Sequence, residues 1–123
     1  DFIESNHDLL KAIDKVGKER HHLLLLHSPL QQEVALKDIR SENNRRPQQE
    51  QLNISYIFAG HNHGGQVRFG KKTPVLPEFS GSYVNGWYNS GFPYLYVSKG
   101  FGTSRFPIRF GARAEITLFH YHI

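Results

Sequence analysis

The chain has 123 residues, no cysteine, no methionine and a net charge of +4 from 15 basic and 11 acidic side chains. This length is that of one small domain, and the lack of cysteine excludes disulfides, thiolate metal sites and cysteine nucleophiles. No apolar run approaches the roughly 18 residues of a membrane-spanning helix. Eight histidines are the unusual feature, because neutral imidazole is the commonest metal ligand and a frequent general acid or base.

The first half of the chain predicts two helices and one buried strand. Residues Asp8–Arg20 carry an apolar stripe at helical spacing, which predicts an amphipathic surface helix. The continuous run Leu23–Leu26 predicts a strand that is buried on both faces and leads His27 into a loop. A second helix is expected to end near Ser41, and the polar stretch 41–51 predicts an exposed or mobile insertion. This order of helices and strands favours an α/β fold.

The second half of the chain predicts mainly strands. Asn85-Gly86 is typical of a hairpin turn between Tyr83-Val84 and Trp87-Tyr88. The final segment alternates along its length with both faces partly apolar, which is typical of a strand in a sheet that packs against another sheet. Apart from that hairpin, strands are predicted at 54–58, 66–69, 94–98 and 112–123.

The sharpest motif is Gly60-His61-Asn62-His63-Gly64-Gly65. Two imidazoles at positions i and i+2 follow a buried strand, and the glycines allow a sharp turn and close approach to a ligand. His27 follows the other buried strand, so three histidines converge if the two strands are neighbours. A His-x-His pair alone also suits hydrogen-bonded loop residues, so spacing by itself leaves both interpretations open.

Three ordered motifs give the chain a family resemblance. LLLLHSP, IFAGHNHGGQVRF and YLYVSKGFGTSRFPIRF, followed by AEITLF, resemble the calcineurin-like metallophosphoesterases, in the branch with a GHTHGGQ signature. The resemblance implies two packed mixed β-sheets flanked by helices, a four-layer sandwich. Residues 1–123 would supply about the C-terminal half of this single domain, with the polar insertion at about 41–51.

The resemblance also implies a site. His27 and His61 would bind one metal ion and His63 a second, so that the cofactors are two divalent transition-metal ions, with manganese, iron or zinc expected. Gly64, Gly65 and the loop from Lys99 to Arg109 would border the substrate. Arg109 is the arginine expected to hold a phosphate.

Several family motifs are absent from the chain. It has no Asp-x-His, no GDxxD pattern and no GNHD stretch; Ser5-Asn6-His7-Asp8 resembles GNHD only in part. His7 is therefore the one candidate for a catalytic residue, whereas Asp8 is better explained as the start of a helix. We expect the missing N-terminal half of the domain, in the same protein, to be a partner that completes the metal crevice.

The implied function is metal-dependent hydrolysis, in which a dinuclear centre activates water for attack on a phosphodiester or pyrophosphate. UDP-2,3-diacylglucosamine is one substrate of this kind. The aromatic and basic loop Lys71–Phe92 suits a membrane-surface substrate, and the compartment stays open between cytoplasm and membrane surface. The alternative is a basic, aromatic binding module for nucleic acid or an anionic membrane without catalysis. A hydrolase needs no nucleic-acid partner, and the module gives no reason for the glycine-bracketed histidines.

Overall fold

A computed structural model describes residues 8–74, 76–78, 80–104 and 107–122. The helices are α1 (Leu9–Ile13) and α2 (Gln31–Asn43), with 3-10 turns at Gln48–Glu50 and His63–Gly65. The strands are β1 (His22–Leu26), β2 (Ile54–Ala59), β3 (Gly86–Tyr88) and β4 (Tyr94–Val97). They form a mixed sheet of order β1-β2-β4-β3, in which only β3 runs antiparallel to its neighbour. The predicted α/β class is confirmed, and this is the one sheet that the described residues form.

One face of the sheet holds the main core. The alternating residues of β2 and β4 that point to this face are buried, and Leu36 of α2 packs against them. Such a β1-α2-β2 crossover covers the sheet face it passes and explains why α2 buries an apolar side. A smaller cluster joins α1, α2 and the start of β2 through Ile13, Ile39 and Leu52. In the described ranges, no helix is long and apolar enough to cross a bilayer.

The opposite face of β1 is open among the described residues. Leu23 and Leu25 are 48% and 75% exposed, so the prediction of a strand buried on both faces is wrong for β1 as described here. The neighbouring strands carry aromatic side chains on this face: Tyr56 is stacked on Phe58, tilted against Tyr94 and edge to face with Trp87, which is also edge to face with Tyr96.

The last segment lies across that aromatic face. The rings of Phe119 and Phe58 have centroids 4.5 Å apart, and the Tyr96 hydroxyl lies 3.0 Å from the Thr117 hydroxyl. Ile116 and Leu118 point away and are 87% and 78% exposed. The predicted alternation is present, but the predicted strand is wrong over 112–122, because no described segment pairs with it. Ile123 lies outside the described residues.

Two other predicted strand features are wrong. Residues 66–69 make only isolated bridges, from Val67 to Phe110 and Gly111 and from Phe69 to Lys72. Asn85-Gly86 does not turn a hairpin, since Gly86 already begins β3 and pairs with β4. Asn85-Gly86 therefore leads into β3, and β3 pairs with β4, which follows it in the chain.

The first helix is shorter than predicted. It begins after Asp8, whose carboxylate caps the Lys11 N–H at 3.1 Å, and it ends at Ile13 instead of Arg20. Gly17 adopts a φ of 143°, which is not helical. The Arg46 guanidinium donates hydrogen bonds to the carbonyl oxygens of Ile13 and Val16, so contacts with a distant part of the chain end the helix.

The polar stretch 41–51 is exposed but tethered. Helix α2 continues to Asn43, and the Asn43 amide exchanges hydrogen bonds with the Leu52 backbone at 2.9 and 2.8 Å. Arg46 donates to the Ile13 carbonyl at 2.6 Å and to Glu42 Oε1 at 3.2 Å. These side-chain contacts give the stretch one conformation without an apolar core of its own.

Replacing Arg46 should destabilise the protein. The side chain is 10% exposed and satisfies backbone carbonyls at the end of α1, so we expect Arg46→Met to lower the free energy of unfolding by about 1 to 3 kcal/mol. Arg45→Met is the matched control, because Arg45 is 66% exposed and makes one surface ion pair, and we expect it to cost less than about 0.5 kcal/mol. Urea unfolding of the intact protein measures both, and equal shifts for the two variants would contradict the tethering role.

Candidate metal centre

The two parallel strands β1 and β2 end side by side. Leu26 is in register with Ala59, and the Gly60 N–H donates to the His27 carbonyl at 3.1 Å. The residues that follow the two strands therefore emerge at the same edge of the sheet. This is the carboxyl edge, where ligands bind in open α/β sheets.

His27 and His61 meet at this edge. His27 Nε2 lies 3.0 Å from His61 Nδ1, with ring centroids 4.8 Å apart. Two nitrogens bound to one metal ion at about 2.1 Å and at a right angle are themselves about 3.0 Å apart. The spacing of the two ring nitrogens therefore fits two adjacent ligands of a single divalent ion.

A backbone carbonyl fixes the tautomer of His61. His61 Nε2 lies 2.8 Å from the Glu78 carbonyl oxygen, which can only accept, so Nε2 carries the hydrogen. Nδ1 then presents its lone pair toward His27. A second ring nitrogen held by a carbonyl is the usual outer support of a metal-binding histidine.

The histidine turn has a strained backbone. His61 and His63 have φ values of 71° and 50°, a left-handed region that costs a non-glycine residue about 1 to 2 kcal/mol. Asn62 between them is fully buried; its amide donates to the Tyr83 carbonyl, and its oxygen accepts from Ser80 Oγ at 2.8 Å. These buried hydrogen bonds hold the turn in a conformation that the sequence alone disfavours.

His63 is directed to a different part of the site. A Cβ on Gly102 would lie 3.8 Å from His63 Cε1, so the imidazole lies beside the turn that follows β4. The described contacts bring the imidazoles of His27 and His61 together, and the convergence of all three histidines on one site stays a prediction. Within the ranges that the structure describes, no group of three or more histidine or carboxylate side chains is arranged to hold a metal ion.

The two glycines after His63 are in close contact with neighbouring side chains. Gly64 (φ 62°) packs on the stem of Lys99, and a Cβ there would lie 2.5 Å from the Lys99 Cγ. Gly65 (φ 76°) has no room for a Cβ, which would overlap the Thr73 methyl group. Their predicted role beside a substrate stays a prediction, and their conformations explain why glycine is needed.

Lys99 is held by Glu115. Its Nζ lies 2.7 Å from Glu115 Oε2, and its backbone N–H and the Tyr96 hydroxyl both donate to Oε1. Burial acts to raise the pKa of Glu115, but the hydrogen bonds from Lys99 and Tyr96 outweigh it and hold the pKa below its ordinary value. Glu115 therefore stays ionised and fixes the start of the loop 99–112.

Arg109 is held by backbone carbonyls. Its guanidinium donates to Ala112 at 2.7 Å, to His63 at 2.9 Å, to Lys99 at 3.1 Å and to Gly102. A role of Arg109 in binding the substrate stays a prediction. His7, the candidate catalytic residue, and its neighbour Asn6 lie outside the described residues.

Sequence reasoning missed the groups that support the histidines. Asn62 could have been found, because a short polar residue between two site candidates at the end of a buried strand must satisfy its amide internally. The Glu78 carbonyl could not have been found, since any residue supplies a carbonyl and the loop 71–85 has no regular pattern.

Comparisons with known proteins give the chain several metallophosphoesterase relatives. The chain is 32% identical over 97% of its length to YkuE, named an uncharacterized metallophosphoesterase of Bacillus subtilis, and 33% identical over 89% to an uncharacterized metallophosphoesterase of Helicobacter pylori. It is also 33% identical over 89% to a bovine transmembrane protein with metallophosphoesterase domain. It spans 37%, 25% and 22% of those relatives. No family model and no solved structure matches.

The parallel strand ends, the paired histidines and these relatives define a class of proteins. The chain belongs to the calcineurin-like metallophosphoesterases, a family whose name denotes dependence on divalent metal ions. Its α/β sheet is part of the fold that the resemblance implied.

Adding a methyl group at Gly65 should disrupt the histidine turn. Both Gly65 and Gly70 have positive φ, but only at Gly65 would a Cβ overlap a neighbour. We expect Gly65→Ala to lower the free energy of unfolding by about 1 to 3 kcal/mol more than Gly70→Ala, because the overlap adds to the backbone strain common to both. Thermal or urea unfolding of the intact protein checks this difference. Equal destabilisation by the two variants would show that the contact with Thr73 does not constrain the turn.

Proposed function

We propose that this chain carries part of the active site of a metal-dependent phosphoester hydrolase. The observation that supports it most strongly is the 3.0 Å approach of His27 Nε2 to His61 Nδ1 at the carboxyl edge of two parallel strands. Relatives that match nearly the whole chain are named metallophosphoesterases. Nothing in the described contacts favours the binding-module alternative.

In this proposal the histidines belong to two metal sites. His27 and His61 hold one ion and His63 holds the other, and both ions are divalent, with manganese, iron or zinc expected. Imidazole nitrogen suits zinc and iron, while carboxylates favour harder ions such as manganese. The identity of the carboxylates that join the site therefore decides the metal.

The remaining ligands come from residues outside this chain in our proposal. Two imidazoles leave at least two positions of a tetrahedral or octahedral ion to other groups. The chain spans only 37% of the first relative, which leaves room in such a protein for further ligands. Four exposed apolar side chains of this chain offer a surface on which the segment that carries those further ligands can pack: Leu23, Leu25, Ile116 and Leu118.

Each part of the turn has a chemical task in this reaction. When bound, the metal ions supply a Lewis acid for the phosphoryl oxygens and lower the pKa of water. His61 keeps its proton on Nε2 through Glu78 and presents Nδ1 as a lone pair. His27 must likewise present the lone pair of its Nε2 to bind the ion. In this structure that nitrogen lies at hydrogen-bond distance from His61 Nδ1. The His27 ring can free Nε2 for the ion by carrying its proton on Nδ1. Gly64 and Gly65 let the backbone pack closely against Lys99 and Thr73, and in this proposal that backbone borders the phosphoryl group.

Removing the paired histidine should remove both metal and activity. We expect His61→Ala to lower the affinity of the intact protein for one divalent ion by 10-fold or more and to lower phosphodiester cleavage by at least 100-fold, because the ion and the activated water are lost together. Elemental analysis with isothermal titration measures the metal, and a chromogenic phosphodiester reports turnover. His120→Ala is the matched control, since His120 is exposed. If metal content and cleavage both survive in His61→Ala, the hydrolase proposal is wrong.

The substrate in our proposal is a phosphodiester or pyrophosphate at a membrane surface, such as a lipid-linked nucleotide. Exposed Trp87, Phe92 and Phe101, at 53%, 70% and 75%, support this, because aromatic side chains partition to the interface of a bilayer. The net charge of +4 adds attraction to anionic lipids.

A substrate panel tests the lipid part separately. We expect the intact protein to cleave a lipid-linked nucleoside diphosphate in vesicles at least 10-fold faster, as kcat/KM, than a soluble diester. Phe92→Ser should reduce only the vesicle rate, because it removes apolar area without touching the histidines. Turnover of soluble diesters with no activity on any lipid-linked substrate would exclude the lipid proposal and leave the hydrolase proposal standing.

A further inference from the structure

The guanidinium of Arg109 lies at the junction of two segments of the site. Its Nη2 donates to the His63 carbonyl at 2.9 Å and to the Lys99 carbonyl at 3.1 Å, and its Nε donates to Ala112 at 2.7 Å. Nη1 donates to the Gly102 carbonyl. The side chain thus joins the histidine turn to both ends of the loop 99–112.

The donor count decides what else Arg109 can bind. A guanidinium has five N–H donors in a fixed plane, and four of them are used by these carbonyls. A bidentate grip on a phosphate needs two parallel N–H groups from one edge of the fork. Only one Nη1 hydrogen remains, so Arg109 cannot hold a phosphate in that way without giving up a carbonyl.

Other contacts seat the same loop on the same turn. The Phe110 N–H donates to the Gln66 carbonyl at 2.8 Å, and Gln66 Oε1 accepts from the Ser104 backbone and hydroxyl, both at 2.9 Å. Arg109 is the side chain of the loop 99–112 that reaches the His63 carbonyl, which also accepts from the Gln66 N–H within the turn at 3.0 Å. His63 has a φ of 50°, so its backbone needs support to stay in place.

We propose that Arg109 is a positioning residue that acts through His63. The guanidinium holds the His63 carbonyl, keeps that residue in its left-handed conformation and fixes the direction of its imidazole toward the second metal ion. It does not contact the phosphoryl group. This inference rests on the proposed function and assigns Arg109 a role different from the substrate contact that the family resemblance implies.

Metal titration of the intact protein tests the proposal. We expect Arg109→Gln to weaken one of two Mn²⁺ equivalents by about 10- to 100-fold, the usual effect of losing a group that orients a ligand, and to leave the other within threefold. Arg109→Lys keeps the charge and can donate to two carbonyls, so we expect its affinity for the weakened Mn²⁺ equivalent to lie between those of Arg109→Gln and the wild type. Arg113→Gln is the matched control, because Arg113 lies on the adjoining segment and is exposed.

Kinetics separate the two roles of the arginine. A positioning residue lowers kcat and leaves the KM for a phosphodiester within twofold, whereas a phosphate grip raises KM with the metal affinities unchanged. That second outcome would overturn the proposal. Wild-type protein that binds no metal at all would instead refute the proposed function, so the two failures can be told apart.

A measurement on the wild type covers the case in which the variants do not fold. The ¹⁵N resonance of Arg109 Nε in the Zn²⁺-loaded protein is followed while inorganic phosphate is added. We expect it to stay in place at saturating phosphate, because Nε donates to the Ala112 carbonyl and the guanidinium has no phosphate partner. A saturable shift of that resonance would show that Arg109 binds phosphate and would overturn the proposal.

Discussion

Parallel pairing of β1 with β2 is the constraint on which the candidate metal centre depends. The register that sets Leu26 beside Ala59 brings two histidines, separated by 34 positions in the chain, to one edge of the sheet. The crossover through α2 makes this pairing parallel, since antiparallel strands would place their carboxyl ends at opposite edges. The chemistry of the site is therefore a consequence of how the main core packs.

Strain and support are balanced in the histidine turn. His61 and His63 adopt left-handed conformations, and three different groups compensate: the buried amide of Asn62, the Glu78 carbonyl and the guanidinium of Arg109. Each of them holds backbone or ring without itself being a metal ligand in this account. This explains why the glycine bracket is needed but not sufficient, because it permits the turn and the surrounding side chains stabilise it.

The sequence predicted the parts of the fold that depend on local pattern. The strands that became β1, β2 and β4 were found from apolar runs, and His27 and His61 were found because they follow two of those runs. The end of α1 and the course of 112–122 were not, because both depend on contacts between distant parts of the chain, namely Arg46 with the Ile13 carbonyl and Phe119 with Phe58. The histidines could be predicted because they follow recognisable strands. The carbonyl of Glu78, which accepts from the His61 ring, and the carbonyl of His63, which accepts from Arg109, could not, because any residue supplies a carbonyl.

The proposed metal centre requires that His27 and His61 share one divalent ion. Anomalous diffraction from crystals of the intact protein loaded with Zn²⁺ would locate that ion. We expect it within about 2.0 to 2.1 Å of both His27 Nε2 and His61 Nδ1, with the Glu78 carbonyl still accepting from His61 Nε2. An ion bound elsewhere, with the two imidazoles still hydrogen-bonded to each other, would contradict it.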